Sequence, residues 1–383
     1  MRILIAPDSF KGTLTSRQAA QAMAEGIRAV NRQADIRLLP MADGGEGTLD
    51  VLEGAWQTSA GLKRHVERRS FDLPSGAAIS ADYLILNEND LSEPVAIIES
   101  AQLIGMNLPH MPDVDIMQRG SGALGVAMRA LLDSGYRHIV VALGGSATND
   151  GGLGMLMQLG MQAFGADGRP VTPDADGLRA VREVNFSKLL KEVRKAKIQV
   201  LCDVQAPLLG RAGASRKFGV QKGLSRDQCM EMDMGMARYA GLCEQALGMP
   251  LRAMPGSGAA GGLGFAFALL GGELESGADY IMKASGIAQG LEWADWLVTG
   301  EGRSDAQTLM GKIPFRLAAS AASAGVKAAL ISGTVDSGDE AAVKKLEKHF
   351  DRMIAVYGKR IADDLNATVA YADLREAAGR MAA

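Results

Sequence analysis

Carboxylates occur together with glycines in five polar loops, and each of these loops follows a predicted strand. The acidic residues of the loops are Asp8, Asp43, Asp150, Asp203 and Glu301. Turn chemistry favours Gly and Asp, so any one of these loops taken alone is more readily structural than functional. In parallel sheets, however, ligands bind outside the carboxyl ends of the strands. The repetition at five strand ends therefore predicts one site built from distant parts of the chain.

The side chains of these loops suit phosphoryl transfer. Glycine-rich loops at helix starts expose N–H groups that bind phosphate oxygens, and carboxylates near phosphates hold Mg²⁺. A further Asp can orient a substrate hydroxyl, while Lys or Arg neutralises charge on the transferred group. Acyl transfer fits less well, because none of the four histidines lies in a glycine-rich loop as the base of a Ser–His–Asp triad.

The standard nucleotide fingerprints are weak or absent. No GxxxxGK[ST] segment occurs, which excludes a P-loop kinase. GxGxxG occurs at Gly120 to Gly125 and at Gly256 to Gly261, but neither copy follows a convincing strand, so an NAD-dependent oxidoreductase is unsupported. The tetrapeptide Gly-Gly-Leu-Gly occurs at 151–154 and 261–264, each time before an apolar helical run. Anion-facing helix starts and tight helix packing remain open alternatives for these glycines.

A cationic segment at 213–223 (GASRKFGVQKG) stands out in a mildly acidic chain. It contains Arg216, Lys217 and Lys222 between glycines. A run of charges is usually a solvated face. An anion-binding loop is an equally good interpretation of this segment.

The length and composition indicate a globular protein of two domains. The chain has 383 residues, of which 47% are hydrophobic and 22% charged, and a formal net charge of -3. Such a length suits two cores, and such a charge gives no basis for binding nucleic acid. The three cysteines show no metal-binding spacing, the N-terminus predicts no signal peptide, and no segment predicts a membrane helix. We therefore expect a cytoplasmic protein with reduced thiols.

The pattern of elements predicts an α/β protein. Apolar runs predict strands at 3–6, 35–40, 138–143, 198–202, 295–299, 327–331 and 352–357. Helices are predicted at 123–132, at 314–324, in a Lys-rich stretch before residue 198 and at the C-terminus, and Thr15 with Gln18 predicts a capping box. Residues 62–100 instead predict antiparallel hairpins. We expect one domain from residues 1–62 and 290–383 and an inserted domain from residues 63–289.

The chain closely resembles bacterial glycerate kinases of the first type. The motifs that carry the resemblance occur in the order of that family: APDSFKGTL (6–14), ADGGEGT (42–48), GGSATNDGG (144–152), CDVQAPLLG (202–210), GASRKFGVQKG (213–223), PGSGAAGGLG (255–264) and TGEGRSDAQTLMGKIP (299–314). The resemblance implies a Rossmann-like, doubly wound parallel sheet domain, an inserted α/β domain with a mixed sheet, and an active site in the cleft between them. It also implies conversion of D-glycerate and Mg-ATP to 2-phosphoglycerate.

Roles for individual residues are hypotheses from their chemistry. The expected catalytic residues are Asp203 as the base that orients the attacking hydroxyl, Asp43 as the second choice of base, and Lys11. The expected ligands of the substrate are Asp8, Ser9, Arg216 and Lys222; those of the nucleotide are Gly144, Gly145, Ser146, Thr148, Gly258 and Gly261; those of Mg²⁺ are Asp150, Glu301 and Asp305, with Asp43 as a further candidate.

Several alternatives stay open at this point. The product could instead be 3-phosphoglycerate, or the substrate another short hydroxy acid. A metabolite-binding protein without turnover is disfavoured, because the carboxylates are present together with the glycine loops. The expected partners are D-glycerate and ATP, with no nucleic acid and no membrane. The assembly state is open, with a homodimer as one alternative.

Overall fold

The computed structural model describes residues 1–58, 64–71, 81–88, 93–336, 338–357 and 366–382. The chain divides into two compact units. Unit 1 comprises Met1–Asp43, Asp50–Ser59 and Ala278–Ala383, and unit 2 comprises Gly44–Leu49 and Ala60–Gly277. The domain bounds expected from the sequence stay a prediction, because compactness does not show independent folding. The expected boundary between residues 62 and 63 lies outside the described residues.

The elements are numbered in chain order. The strands are β1 (Arg2–Ile5), β2 (Asp35–Leu38), β3 (Arg64–Ser70), β4 (Asp82–Glu88), β5 (Val95–Glu99), β6 (His138–Ala142), β7 (Gln162–Phe164), β8 (Glu183–Asn185), β9 (Lys197–Leu201), β10 (Glu273–Glu275), β11 (Trp296–Ser304), β12 (Lys327–Val335) and β13 (Arg352–Ala355). The helices are α1 (Ser16–Val30), α2 (Thr48–Thr58), α3 (Ser100–Ile104), α4 (Gly122–Asp133), α5 (Leu153–Gln158), α6 (Ala175–Ala180), α7 (Ala214–Phe218), α8 (Arg226–Leu247), α9 (Leu263–Leu269), α10 (Gly277–Ser285), α11 (Ile287–Trp293), α12 (Ile313–Ser323), α13 (Glu340–Leu346) and α14 (Ala367–Ala382).

Unit 1 contains a parallel sheet of five strands in the order β13-β12-β11-β1-β2. Ile3 and Ile5 of β1 lie in one core with residues of α1 and α14. On the opposite face of the strand, Leu4 lies close to Gly290 of α11. Because helices cover both faces, β1 is apolar without alternation, and the predicted doubly wound sheet is confirmed.

Local sequence signals explain where the first helix begins. The hydroxyl of Thr15 accepts the N–H of Gln18, and the side chain of Gln18 accepts the N–H of Thr15. This is the predicted capping box. Met23 and Ile27 are fully buried along one face of α1, whereas Val30 at its end is exposed.

Two predictions about secondary structure are wrong. β11 does not end at Thr299 but runs to Ser304, because Arg303 and Ser304 still pair with β12. Glu301 therefore belongs to a strand rather than a loop. The Lys-rich helix before β9 is only a 3-10 turn at Val193–Lys195, since long-range strand pairing follows it at once.

Unit 2 contains a mixed sheet of six strands in the order β10-β9-β6-β5-β4-β3. The pairs from β10 to β5 are parallel, and the pairs β5–β4 and β4–β3 are antiparallel. The predicted antiparallel segment is thus confirmed where it is described, while residues 78–80 lie outside the described residues. Among the described residues, no helix is long and apolar enough to cross a membrane.

Candidate functional site

In unit 1, three carboxylates lie at one point of the parallel sheet. Asp8 follows β1, Asp43 follows β2, and Glu301 lies near the end of β11. The N–H of Asp8 donates to the carbonyl of Gly300 (2.9 Å), which aligns the end of β1 with β11. β1 is where the strand order turns from β2 on one side to β11 on the other, the usual ligand position in such sheets. We call Asp8, Lys11, Asp43 and Glu301 the carboxylate cluster.

Asp8 is buried among like charges. Its side chain is 8% exposed, and its Oδ1 accepts the N–H of Ser9 (2.7 Å). Burial and the charge of Asp43 raise the pKa of Asp8 to about 8, while Ser9 and Lys11 oppose the shift. A carboxylate with such a pKa holds a proton near neutral pH unless a cation joins it. A cation bound at this point would favour the charged form of Asp8.

Lys11 is the cation of the carboxylate cluster, and its side chain faces solvent. It lies in a tight turn in which Phe10 and Leu14 pair as an isolated bridge and Gly12 has a φ of +83°. Its Nζ lies 3.7 Å from Oδ2 of Asp43, and that carboxylate raises the pKa of Lys11. Because its side chain is 81% exposed, the ammonium can reach an anionic ligand.

Glu301 has partners that the sequence predictions missed. Its Oε1 accepts the hydroxyls of Ser304 (2.9 Å) and Thr308 (2.6 Å), and its Oε2 lies 3.4 Å from Nζ of Lys312. Burial raises the pKa of Glu301, and Lys312 is the strongest opposing influence. Thr308 and Lys312 belong to the 299–314 motif, which indicated that this segment is functional. The residue types of the motif did not show that these two side chains contact Glu301.

Asp305 holds the turn that follows Glu301. Its Oδ1 accepts the N–H of Gln307 (2.8 Å), and its own N–H donates to the hydroxyl of Thr308 (3.1 Å). Its Oδ2 lies 3.6 Å from Arg303. These contacts favour a structural role, and its role as a metal ligand stays a prediction.

The carboxylate oxygens of unit 1 are ligands of the kind that Mg²⁺ prefers. In the described part of the chain, no three His, Cys, Asp or Glu side chains form a group that could hold a metal by themselves. Mg²⁺ in kinases needs only one or two carboxylates, because phosphate oxygens and waters complete its shell. The oxygens of the carboxylate cluster fit that requirement.

In unit 2, the glycine loop Gly144–Asn149 follows β6 and is fixed by its backbone. The N–H of Gly144 donates to Gly44 (3.1 Å), and the N–H of Ala147 donates to Ile104 (2.7 Å). A Cβ on Gly144 would lie 2.4 Å from the Cα of Gly45, so only glycine fits there. The loop is thus held in one shape by close backbone contacts.

Lys222 reaches this loop from the cationic segment. Its side chain is buried, and its Nζ donates to Oγ of Ser146 (3.1 Å) and to the carbonyl of Thr148 (2.8 Å). Arg216 instead is exposed and lines a surface cavity of about 480 Å³ with Asp227 and Glu231. The two cations expected to clamp the substrate thus have different surroundings, and the role of Arg216 stays a prediction.

Asp150 is fully buried and accepts four hydrogen bonds. Its Oδ2 accepts the N–H and hydroxyl of Ser121 (2.8 and 2.7 Å) and the N–H of Gly154 (3.1 Å); its Oδ1 accepts the N–H of Gly152 (3.0 Å). Burial raises the pKa of Asp150, and these bonds oppose the shift. Such contacts favour a structural role beside the start of α5. Its predicted role as a metal ligand has no test in the structure.

Asp203 lies exposed directly after β9. Its Oδ1 accepts the hydroxyl of Ser276 (2.7 Å), which follows β10. A carboxylate that is both oriented and exposed can accept a proton from a ligand. Its role as the base stays a prediction.

The two Gly-Gly-Leu-Gly segments pack against each other. The N–H of Gly151 donates to the carbonyl of Gly261 (3.0 Å), and a Cβ on Gly152 would lie 2.3 Å from that of Ala266. Added carbons on Gly258 and Gly261 would lie 2.2 and 2.1 Å from backbone carbonyl oxygens. These contacts favour the packing alternative, and nucleotide binding by Gly258 and Gly261 stays a prediction.

The structure thus groups the predicted residues within each unit. Asp8, Lys11, Asp43 and Glu301 come together in unit 1, and Ser146, Thr148 and Lys222 come together in unit 2. The expectation that all of them serve one site stays a prediction.

Comparison with known proteins shows what the chain is similar to. Residues 3–383 match the model of the Glycerate kinase family. A glycerate kinase of Halalkalibacterium halodurans is 36% identical over 88% of this chain and 87% of its own length. A glycerate 2-kinase of Escherichia coli is 36% identical over 83% of this chain and 81% of its own length. The crystal structure of a protein assigned as glycerate kinase 2 from Salmonella typhimurium LT2 superposes with a TM-score of 0.74 at 32% identity, covering 100% of this chain and 97% of that one.

Proposed function

The chain belongs to the glycerate kinase family, and from this premise we propose that it transfers the γ-phosphoryl group of ATP to the 2-hydroxyl of D-glycerate. The observation that carries the proposal is the similarity over 83% of the chain to a glycerate 2-kinase. The carboxylate cluster and the glycine loop supply the oxygen ligands, cation and backbone donors that phosphoryl transfer requires.

The carboxylate cluster is proposed to position the transferred group. Asp43 and Glu301 would hold Mg²⁺, which when bound neutralises charge on the phosphate oxygens. Lys11 is exposed beside Asp43 and would contact either the moving phosphoryl group or the glycerate carboxylate. Asp8 and Ser9 stay the proposed substrate ligands at the end of β1. Because the transition state is loose, these contacts contribute by positioning and by charge neutralisation.

Asp203 is proposed to accept the proton of the attacking hydroxyl. The hydroxyl of Ser276 fixes one carboxylate oxygen at 2.7 Å, and the side chain remains exposed to a ligand. An oriented carboxylate of this kind aligns the hydroxyl with the phosphorus atom. Asp43 is the second choice for this role.

Phosphorus NMR of the reaction products tests the proposal. Purified protein is incubated with D-glycerate and Mg-ATP, and the expected result is a new phosphomonoester signal that appears as ADP forms. A doublet from coupling to the single proton at C2 identifies 2-phosphoglycerate, whereas a triplet from the CH₂ protons identifies 3-phosphoglycerate. Controls without glycerate, or with lactate or glycolate in its place, test the alternative of another short hydroxy acid.

No phosphomonoester under any of these conditions would contradict the proposal and favour a binding protein without turnover. A triplet would retain the kinase and correct the position of transfer. The cytoplasmic location and the assembly state stay predictions.

A further inference from the structure

Lys222 is a buried cation with neutral partners. Lys222 is 6% exposed, and within the described ranges its ammonium donates only to a hydroxyl and to a backbone carbonyl. In the described part of the chain, no carboxylate lies within ion-pair distance of its Nζ. An ammonium has three N–H donors, so the third has no protein acceptor there. Burial of a cation without an anionic partner is unfavourable, which points to a ligand as the missing partner.

A second observation concerns the neighbouring side chains. Among the residues that the structure describes, Oγ1 of Thr148 and Oδ1 of Asn149 are buried without a hydrogen-bond partner, and both residues are completely buried. The amide nitrogen of Asn149 donates to Oγ of Ser215 (3.0 Å), which fixes the orientation of that side chain. Buried polar atoms normally have partners, and the unpaired hydroxyl of Thr148 is a donor in the residue whose carbonyl accepts from Lys222, so it indicates a position that an oxyanion fills. Oδ1 of Asn149 is an acceptor and would pair with a donor group of the ligand.

We propose that Lys222, Ser146 and Thr148 form a single oxyanion pocket, so that Lys222 and the glycine loop bind the same ligand through its carboxylate or phosphate group. The inference rests on the proposed function, which supplies two ligands of this chemistry, glycerate and ATP. It replaces the expectation that Lys222 binds the substrate while Ser146 and Thr148 bind the nucleotide. Because Nζ of Lys222 and Oγ of Ser146 lie 3.1 Å apart, a single oxyanion can contact both.

The charge of Lys222 suits this role at neutral pH. Burial lowers the pKa of Lys222 to about 8, and Asp150 opposes the shift. The side chain therefore remains mostly an ammonium at pH 7. A bound oxyanion would stabilise the charged form further.

The test measures the binding of each ligand separately. Isothermal titration calorimetry at pH 7 compares D-glycerate alone with the non-hydrolysable analogue Mg-AMPPNP alone, using the wild type, Lys222→Met and Ser146→Ala. Both variants are expected to weaken the same ligand by about 10- to 100-fold, the scale of a hydrogen bond to a charged group. The other ligand should change by less than about threefold. Weakening of glycerate binding identifies its carboxylate, and weakening of analogue binding identifies a phosphate.

Matched variants separate binding from folding. Lys195→Met, which removes an exposed lysine in unit 2, should leave both affinities unchanged. If Lys222→Met does not fold, Ser146→Ala and Thr148→Val test the pocket instead, and both should weaken that one ligand.

Variants that weaken different ligands, or that weaken neither, would overturn the inference. Its failure is distinguishable from failure of the proposed function. If the wild type binds an oxyanion ligand through these residues but forms no product, the pocket stands and the kinase does not.

Discussion

At the residue scale, the environment of Asp8 makes the free energy of unfolding of the protein depend on pH. Its ordinary pKa is 3.8 and the folded protein raises it to about 8, mainly by burial. Between these two pH values the folded state binds more protons than the unfolded state. The free energy of unfolding contributed by Asp8 is therefore fully present below about pH 4 and is lost as pH rises through 8.

The variant Asp8→Asn should lose this dependence, because an amide does not titrate. The wild type should lose at least about 1.4 kcal/mol of stability relative to the variant between about pH 5 and pH 8, the free energy of one pKa unit. Urea unfolding at several pH values measures the difference. The exposed Asp133→Asn is the control and should run parallel to the wild type. A parallel curve for Asp8→Asn would contradict the assignment.

Lys11→Ala should lower kcat by about 10²-fold, since it removes a cation that neutralises phosphoryl charge or holds the substrate. Steady-state kinetics with coupled ADP release measure the effect. The exposed Lys348 in unit 1 provides a matched control, and Lys348→Ala should retain full activity. Equal activities of the two variants would place Lys11 outside the site.

Asp203→Asn should lower kcat by about 10²-fold or more, the scale for loss of a positioned base. The fold should be intact, because Asp203 is exposed and its amide replacement can still accept the hydroxyl of Ser276. Circular dichroism checks the fold, and initial rates check turnover. Near-normal turnover would remove Asp203 as the base and leave Asp43 for that role.

At the scale of elements, the paired Gly-Gly-Leu-Gly turns position the glycine loop. Gly152 and Gly262, at the starts of α5 and α9, have φ values of +73° and +95°. Gly261 lies against the carbonyl oxygen of Thr148, and that oxygen accepts the ammonium of Lys222. A side-chain carbon added at Gly261 would therefore press on the same carbonyl oxygen that Lys222 contacts.

Gly261→Ala and Gly271→Ala form a matched pair that tests this packing. Both glycines have positive φ, +71° and +81°, so each alanine should cost about 1–2 kcal/mol of backbone strain. A Cβ at Gly261 would also lie 2.1 Å from the carbonyl oxygen of Thr148, whereas a Cβ at Gly271 would meet nothing within 4 Å. Overpacking should add about 1–3 kcal/mol at Gly261 alone. Urea denaturation measures both, and equal losses would contradict the close contact.

At the scale of the whole molecule, the two units carry different kinds of site. Unit 1 presents carboxylates around an exposed lysine, and unit 2 presents backbone and hydroxyl donors around a buried lysine. The first combination suits a metal with phosphate oxygens, and the second suits an oxyanion. A kinase needs both kinds of site, and the side chains suited to each are present in this chain.

Removal of divalent metal should abolish turnover without unfolding the protein. No described group of three acidic, His or Cys side chains could bind Mg²⁺ alone, so the metal should enter mainly with ATP and add little to stability. Addition of EDTA should therefore stop product formation and leave the melting temperature unchanged, and added Mg²⁺ should restore the rate. A large fall in melting temperature would instead indicate a structural metal.

Much of the fold could be predicted from sequence because its signals are local. Strands buried on both faces of a parallel sheet read as continuous apolar runs, which located β1 and β6 to within a residue or two. The capping box of Thr15 and Gln18 lies within four consecutive residues. The motifs likewise identified the family, because each is a contiguous run of residues.

Tertiary structure alone decided which of the recognised residues touch. Pairing with β12 extended β11 through Glu301, and the fold gave that carboxylate its partners Thr308 and Lys312. Lys222 reaches the carbonyl of Thr148 across 74 residues of chain. The sequence by itself determined the family, the succession of most strands and helices along the chain, and the residue types available for catalysis. Their grouping required the fold, because contacts between distant residues depend on sheet register and helix packing rather than on local propensity.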